Sequence, residues 1–196
     1  MMGRPIASTP RVVGMRFFEV VGVTRRGPGT AAERAAVVAC LLGLGHAAVS
    51  AYWALGGTAL LDTIGGSIER WGRERKPALV AGLWLIVAVK VIVGLAAPVL
   101  AGVGARLLPS WTRGRVPRML GWIAATVLIL YGGLLTIAEL LVETDVLQAA
   151  PDTDRTALAW HAFLWDPWFL LWGVAFGASL WLTRPGPPAE YRACGV

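Results

Sequence analysis

Six residues with acid–base or charge chemistry sit inside otherwise apolar runs: His46, Lys90, Glu139, Glu143, His161 and Asp166. Ionisable groups at membrane depth are costly and face a bundle interior or a wet cavity, where they mark proton relays, ion pairs or ligand contacts. Histidine exchanges protons near neutrality. A lysine in a low-dielectric site offers a strong donor or an electrostatic stabiliser, and glutamate offers a base. Lys90 is the sharpest of the six. An unpaired ammonium at the bilayer centre is penalised by roughly 2.5–3.5 kcal/mol on insertion scales. It therefore needs a partner, and Asp166, the carboxylate nearest in depth, is the predicted one, with Glu139 the alternative.

These residues fall at helical spacing. His46, Ser50, Trp53 and Gly57 follow steps of four, three and four, and so do Gly132, Thr136, Glu139 and Glu143. Each set therefore shares one helix face, and its glycines permit close helix approach. The stretch AWHAFLWDPWFLLWG (Ala159–Gly173) raises a separate question, because Asp166 and Pro167 interrupt its apolar run. Aspartate is a strong N-cap, proline suits the first helical position, and the residue before proline avoids helical dihedrals. The last span is predicted to be kinked or restarted at Asp166–Pro167, with Asp166 as the cap.

The elements that must carry these residues follow from composition. Of 196 residues 56% are hydrophobic and only 15% charged, which excludes an ordinary soluble domain. Four segments reach the roughly 20 apolar residues that cross a bilayer, near Ala35–Gly57, Pro77–Ala105, Met119–Val142 and Ala157–Leu182. The expectation is an all-α integral membrane four-helix bundle, up-down-up-down, over residues 32–183. A basic tail (1–31), partly disordered, precedes it, and a proline-rich tail (184–196) follows. Trp53, Trp71, Trp111, Trp160 and Trp181 lie near span ends, as interfacial tryptophans do.

The net charge of +6 is read as topology. Twelve Lys and Arg fall on the side of the two tails and the middle loop, against five on the other side. By the positive-inside rule both termini are cytoplasmic. On that topology Lys90 and His46 lie near the midplane, and Glu139 and His161 near the outer interface. Asp166 lies about 12 Å below the outer surface. Glu143 is read as an exposed helix end. Cys40 and Cys194 fall in a span and a tail, so no disulfide is expected. The basic tail carries no nucleic-acid module. His46, His161 and Glu139 do not have the spacing of a local metal motif, so neither metal nor cofactor is assigned. The expected partners are membrane lipids and a lipophilic small molecule, and a homo-oligomer is compatible with the sequence.

The cluster HAAVSAYWALGG in span one (His46, Tyr52, Trp53, Gly56, Gly57), together with WDPWFLLWG in span four (Asp166, Pro167, Trp168, Gly173), resembles an uncharacterised family of small bacterial four-span membrane proteins, a domain of unknown function. The resemblance implies the architecture and brings no activity; the excess of Arg over Lys and the Ala/Gly richness point to a GC-rich bacterial genome, and the expected location is the bacterial plasma membrane. A weaker likeness, in composition alone, is to the emopamil-binding sterol isomerases. The absence of asparagine argues against carrying any residue over from them.

The leading functional expectation is binding of a small or lipophilic molecule in an outward-facing intramembrane pocket. Its lining is predicted to comprise His46, Ser50, Tyr52, Trp53, Lys90, Glu139, His161 and Asp166. The alternatives are a membrane enzyme, with His46 or Glu139 as base and Lys90 as stabiliser, and a non-catalytic subunit or scaffold.

Overall fold

The computed structural model describes residues 30–103 and 107–184. Most of the N-terminal tail, Ala105 at the expected end of span two, and residues 185–196 lie outside the described residues. Among the described residues four helices are long and apolar enough to cross a membrane, and there is no strand. The elements are α1 (Thr30–Ala54), α2 (Gly66–Arg73), α3 (Pro77–Ala101), α4 (Arg115–Glu143), α5 (Arg155–Trp160) and α6 (Asp166–Leu182). A single π-helical turn, His161–Trp165, joins α5 to α6, so these three make the fourth span. A short 3₁₀ turn, Ser110–Arg113, precedes α4.

Span boundaries differ from the expected ones for local reasons. Span one ends at Ala54 rather than Gly57, because the chain turns through Gly56, whose φ of 101° favours glycine. Span two ends at Ala101, where Gly102 takes the left-handed conformation (φ 87°) of a C-terminal glycine and Val103 N–H returns to Pro98 O. The loop after span one also holds α2, a short helix charged on one side, which the hydropathy pattern does not announce.

The Asp166 cap is a correction. Asp166 has helical dihedrals (φ −81°, ψ −39°), and no side-chain cap bond is made at the start of α6. The helix continues instead, through a widened turn in which Asp166 N–H donates to His161 O, five residues back. Proline supplies the reason. Pro167 has no N–H, and its ring would collide with the carbonyl four residues earlier. The extra residue of the π turn relieves that conflict without ending the helix. The span's true cap is Asp154, whose side chain accepts from the N–H groups of Thr156 and Ala157 at 3.0 and 3.1 Å.

α6 supplies the large side chains of the core. Trp172, Phe176 and Leu180, one turn apart on one face, are fully buried against small residues of the other spans, among them Ala39, Ala97 and Ala125. α1 packs along α3, α4 along α6, and α1 against α6, whereas α3 and α4 meet only sparsely. A gap floored by α6 therefore runs between α3 and α4.

Candidate functional site

Six of the expected site residues, His46, Ser50, Lys90, Glu139, His161 and Asp166, form two clusters. The first joins α1 to α3. Glycine sets this contact: a Cβ on Gly43 would lie 2.9 Å from Gly94 Cα, so the two helices touch backbone to backbone there. One turn away along each helix, Lys90 Nζ comes 2.9 Å from His46 Nδ1 and donates to Ser50 Oγ at 2.8 Å. Ser50 in turn donates to His46 O. His46 and Ser50 are buried. An ammonium can only donate, so His46 accepts at Nδ1, and the neutral ring carries its proton on Nε2. Nε2 has no partner among the described residues. Aromatic rings of the fourth span surround the imidazole: Phe169 at 4.4 Å, Trp168 at 5.2 Å and Trp165 at 5.9 Å between centroids.

The expected Lys90–Asp166 ion pair does not form. Asp166, 1% exposed, accepts at its Oδ2 from His161 Nδ1 at 3.0 Å. The π turn explains this choice. Two residues five apart on an α-helix point about 140° from one another, and the wider turn brings His161 and Asp166 onto one face. Glu139, projecting from α4, completes the second cluster with Oε1 4.0 Å from the same Nδ1. Nor do His46, His161 and Glu139 gather, since His46 belongs to Lys90. The donor atoms that lie within 4.8 Å of one another are those of Glu139, His161 and Asp166. Among the described residues, Glu139 Oε2, Thr136 Oγ1 and Glu143 Oε1 are buried without a partner. Glu143 is thus a half-buried group and not a bare helix end.

A cleft of about 450 Å³ reaches Glu139 and His161 from the loop end of the bundle. Its walls are Ile64–Ile68 after α1 and Asp152–Asp154 before α5. A second cavity system lies on the side, in the gap between α3 and α4. One stretch of about 500 Å³ is lined by apolar residues of both helices, by Phe169 and Trp172 of α6, and by Lys90. Another of about 450 Å³ continues it along Val93, Leu120 and Ala124, which line both.

Tyr52 and Trp53 hold the turn that follows α1. Trp53 Nε1 donates to Ala59 O at 2.9 Å, and Tyr52 Oη accepts from Ala59 N–H. Sequence reasoning missed Thr63, whose hydroxyl accepts from the indole of Trp165 at 3.0 Å, and Phe169, which lies against both His46 and the lateral gap. The aromatic density around Asp166 was the available signal for Phe169. Thr63 carried none.

Among known proteins, the model of a family described as "Protein of unknown function (DUF3995)" matches residues 43–176, well over half of the chain. The match takes in both polar clusters. No curated protein and no solved structure matches.

Proposed function

We propose that the chain, which belongs to this family of unknown function, is a membrane protein that binds a lipophilic molecule in the lateral groove between α3 and α4, with Lys90 as the contact for the molecule's polar head. The position of Lys90 carries the reading. Its stem forms part of an otherwise apolar groove wall, while its ammonium is anchored from behind by His46 and Ser50. An ammonium has three protons. Two are engaged by protein acceptors, and the third, beside the Phe169 ring 5.7 Å away, is the one a ligand entering the groove would meet. The head group that suits it is an acceptor, a carboxylate or a carbonyl, and a groove open to the bilayer suits an alkyl or isoprenoid body.

This reading moves the binding site from the expected outer mouth to the lipid-facing side, and it keeps His46 and Ser50 as the residues that orient the lysine. Lipid extraction and native mass spectrometry on protein purified in mild detergent test it. The expected result is one lipophile per chain on the wild type and on Lys90→Arg, and loss of it in Lys90→Met. Retention of the same species by folded Lys90→Met would refute the reading and make the groove a helix-packing surface.

A further inference from the structure

The geometry points to a divalent transition-metal site formed by Glu139, His161 and Asp166 at the inner end of the loop-end cleft. It is independent of the lateral groove, which touches none of the three residues.

One imidazole nitrogen and two carboxylates have donor atoms within 4.8 Å of one another, with Nδ1 of His161 3.0 Å from Asp166 and 4.0 Å from Glu139. Ligands at roughly 2.0–2.2 Å around a tetrahedral zinc stand about 3.4 Å apart, so small side-chain rotations close the set on one ion. The residues come from α4 and from the π turn with its following helix, which are rigid packed elements rather than loops. Single π turns inside helices occur frequently at functional sites, and this one is what aligns His161 with Asp166.

Charge comes next. Among the described residues no Lys or Arg lies within salt-bridge distance of Glu139 or Asp166. The one deep ammonium, on Lys90, is spent on His46 and Ser50. With both carboxylates ionised and the imidazole neutral, as metal ligation requires, the trio carries two negative charges, which a divalent cation cancels. Glu139 Oε2 is moreover buried and has no hydrogen-bond partner among the described residues. Access is also present, since the cleft opens onto Glu139 and His161 and would leave coordination positions for water or a small ligand. Three protein ligands with an open position is the pattern of catalytic zinc sites. Borderline metals such as zinc or cobalt suit the mixed nitrogen and oxygen donors better than magnesium does.

The test is titration of Co²⁺, and then Zn²⁺, into full-length protein stripped with chelator in detergent. Visible Co²⁺ absorption and elemental analysis are the readouts. One ion per chain is expected, with Zn²⁺ displacing Co²⁺. Glu139→Gln and His161→Gln should each weaken binding at least about tenfold, the loss that removal of even an outer-shell partner brings. Asp152→Asn, which removes a cleft carboxylate outside the trio, should leave binding unchanged. Asp166→Asn is the variant most exposed to misfolding, so Glu139→Gln, judged folded by circular dichroism, decides. Absence of stoichiometric binding overturns the site. So does binding that survives Glu139→Gln and His161→Gln, or that is lost with Asp152→Asn, because either places the ion on the surface loops.

Discussion

Lys90 illustrates how a single residue can be legible in type and illegible in partner. Its burial among protein followed from the cost of a bare ammonium in hydrocarbon. Its choice of His46 and Ser50 over Asp166 rests on helix rotation, which the Gly43–Gly94 contact sets, and on the π turn that turns Asp166 toward His161. Neither is visible in hydropathy. The geometry makes a double-mutant prediction. Lys90→Met leaves His46 Nδ1 and Ser50 Oγ without their donor, and an orphaned buried polar group costs about 1–3 kcal/mol. Combined with His46→Phe, which keeps a ring in the aromatic nest, the loss should be non-additive by on the order of 0.5–3 kcal/mol. Combined with Asp166→Asn, the losses should add to within about 0.5 kcal/mol. Thermal unfolding in detergent reads both cycles. Coupling of Lys90 to Asp166 rather than to His46 would restore the ion pair that the structure replaces.

At the scale of elements, spans and periodic faces were readable because they depend on composition and spacing alone. His46 and Ser50 share a buried face, and Gly132 is buried on α4, as the stripes imply. The π turn was not readable. Asp-Pro marks a helix start and a bulged continuation equally well in sequence, and packing decides between them. Close approach was readable as glycine but not as a pair. On α4 and α6, Gly132 and Gly173 hold the two backbones together. A Cβ on Gly132 would press on Leu170 N and Asp166 O, and one on Gly173 would lie 2.8 Å from Ile129 N. Backbone cannot move aside as a side chain can. Gly132→Ala and Gly173→Ala should therefore each destabilise by about 1–3 kcal/mol, the usual cost of overpacking. Gly132→Ala should in addition disturb Asp166. Gly82 on α3 faces open space, so Gly82→Ala should be neutral or slightly stabilising through helix propensity. Equal thermostability of Gly132→Ala and Gly82→Ala would mean that α4 and α6 are not in contact at this point.

Across the whole molecule, α1 and α6 form the inner pair and α3 and α4 the flanks, so the polar clusters and the lateral groove all border the fourth span. The same arrangement bears on orientation. The start of α4 and the end of α6 lie together: Arg118 donates to Leu180 O and Thr183 Oγ1, and the Arg184 guanidinium lies 3.3 Å from the Trp181 ring centroid and 5.3 Å from that of Trp122. This end gathers Arg113, Arg115, Arg118 and Arg184, whereas the opposite end carries the acidic loop Asp145–Asp154. Positive charge is retained on the cytoplasmic side, which predicts that the cleft reaching Glu139 and His161 opens outward and the arginine end faces the cytoplasm. Single cysteines placed at Asp152 and at Arg113, with Cys40 and Cys194 replaced by alanine, test the orientation in intact cells. An impermeant maleimide should label the cysteine at position 152 directly, and the one at position 113 only after permeabilisation. The reverse pattern would turn the bundle over. It would present Glu139, His161 and Asp166 to cytoplasmic ions, and it would make the four basic residues of the α2 segment the retained charge.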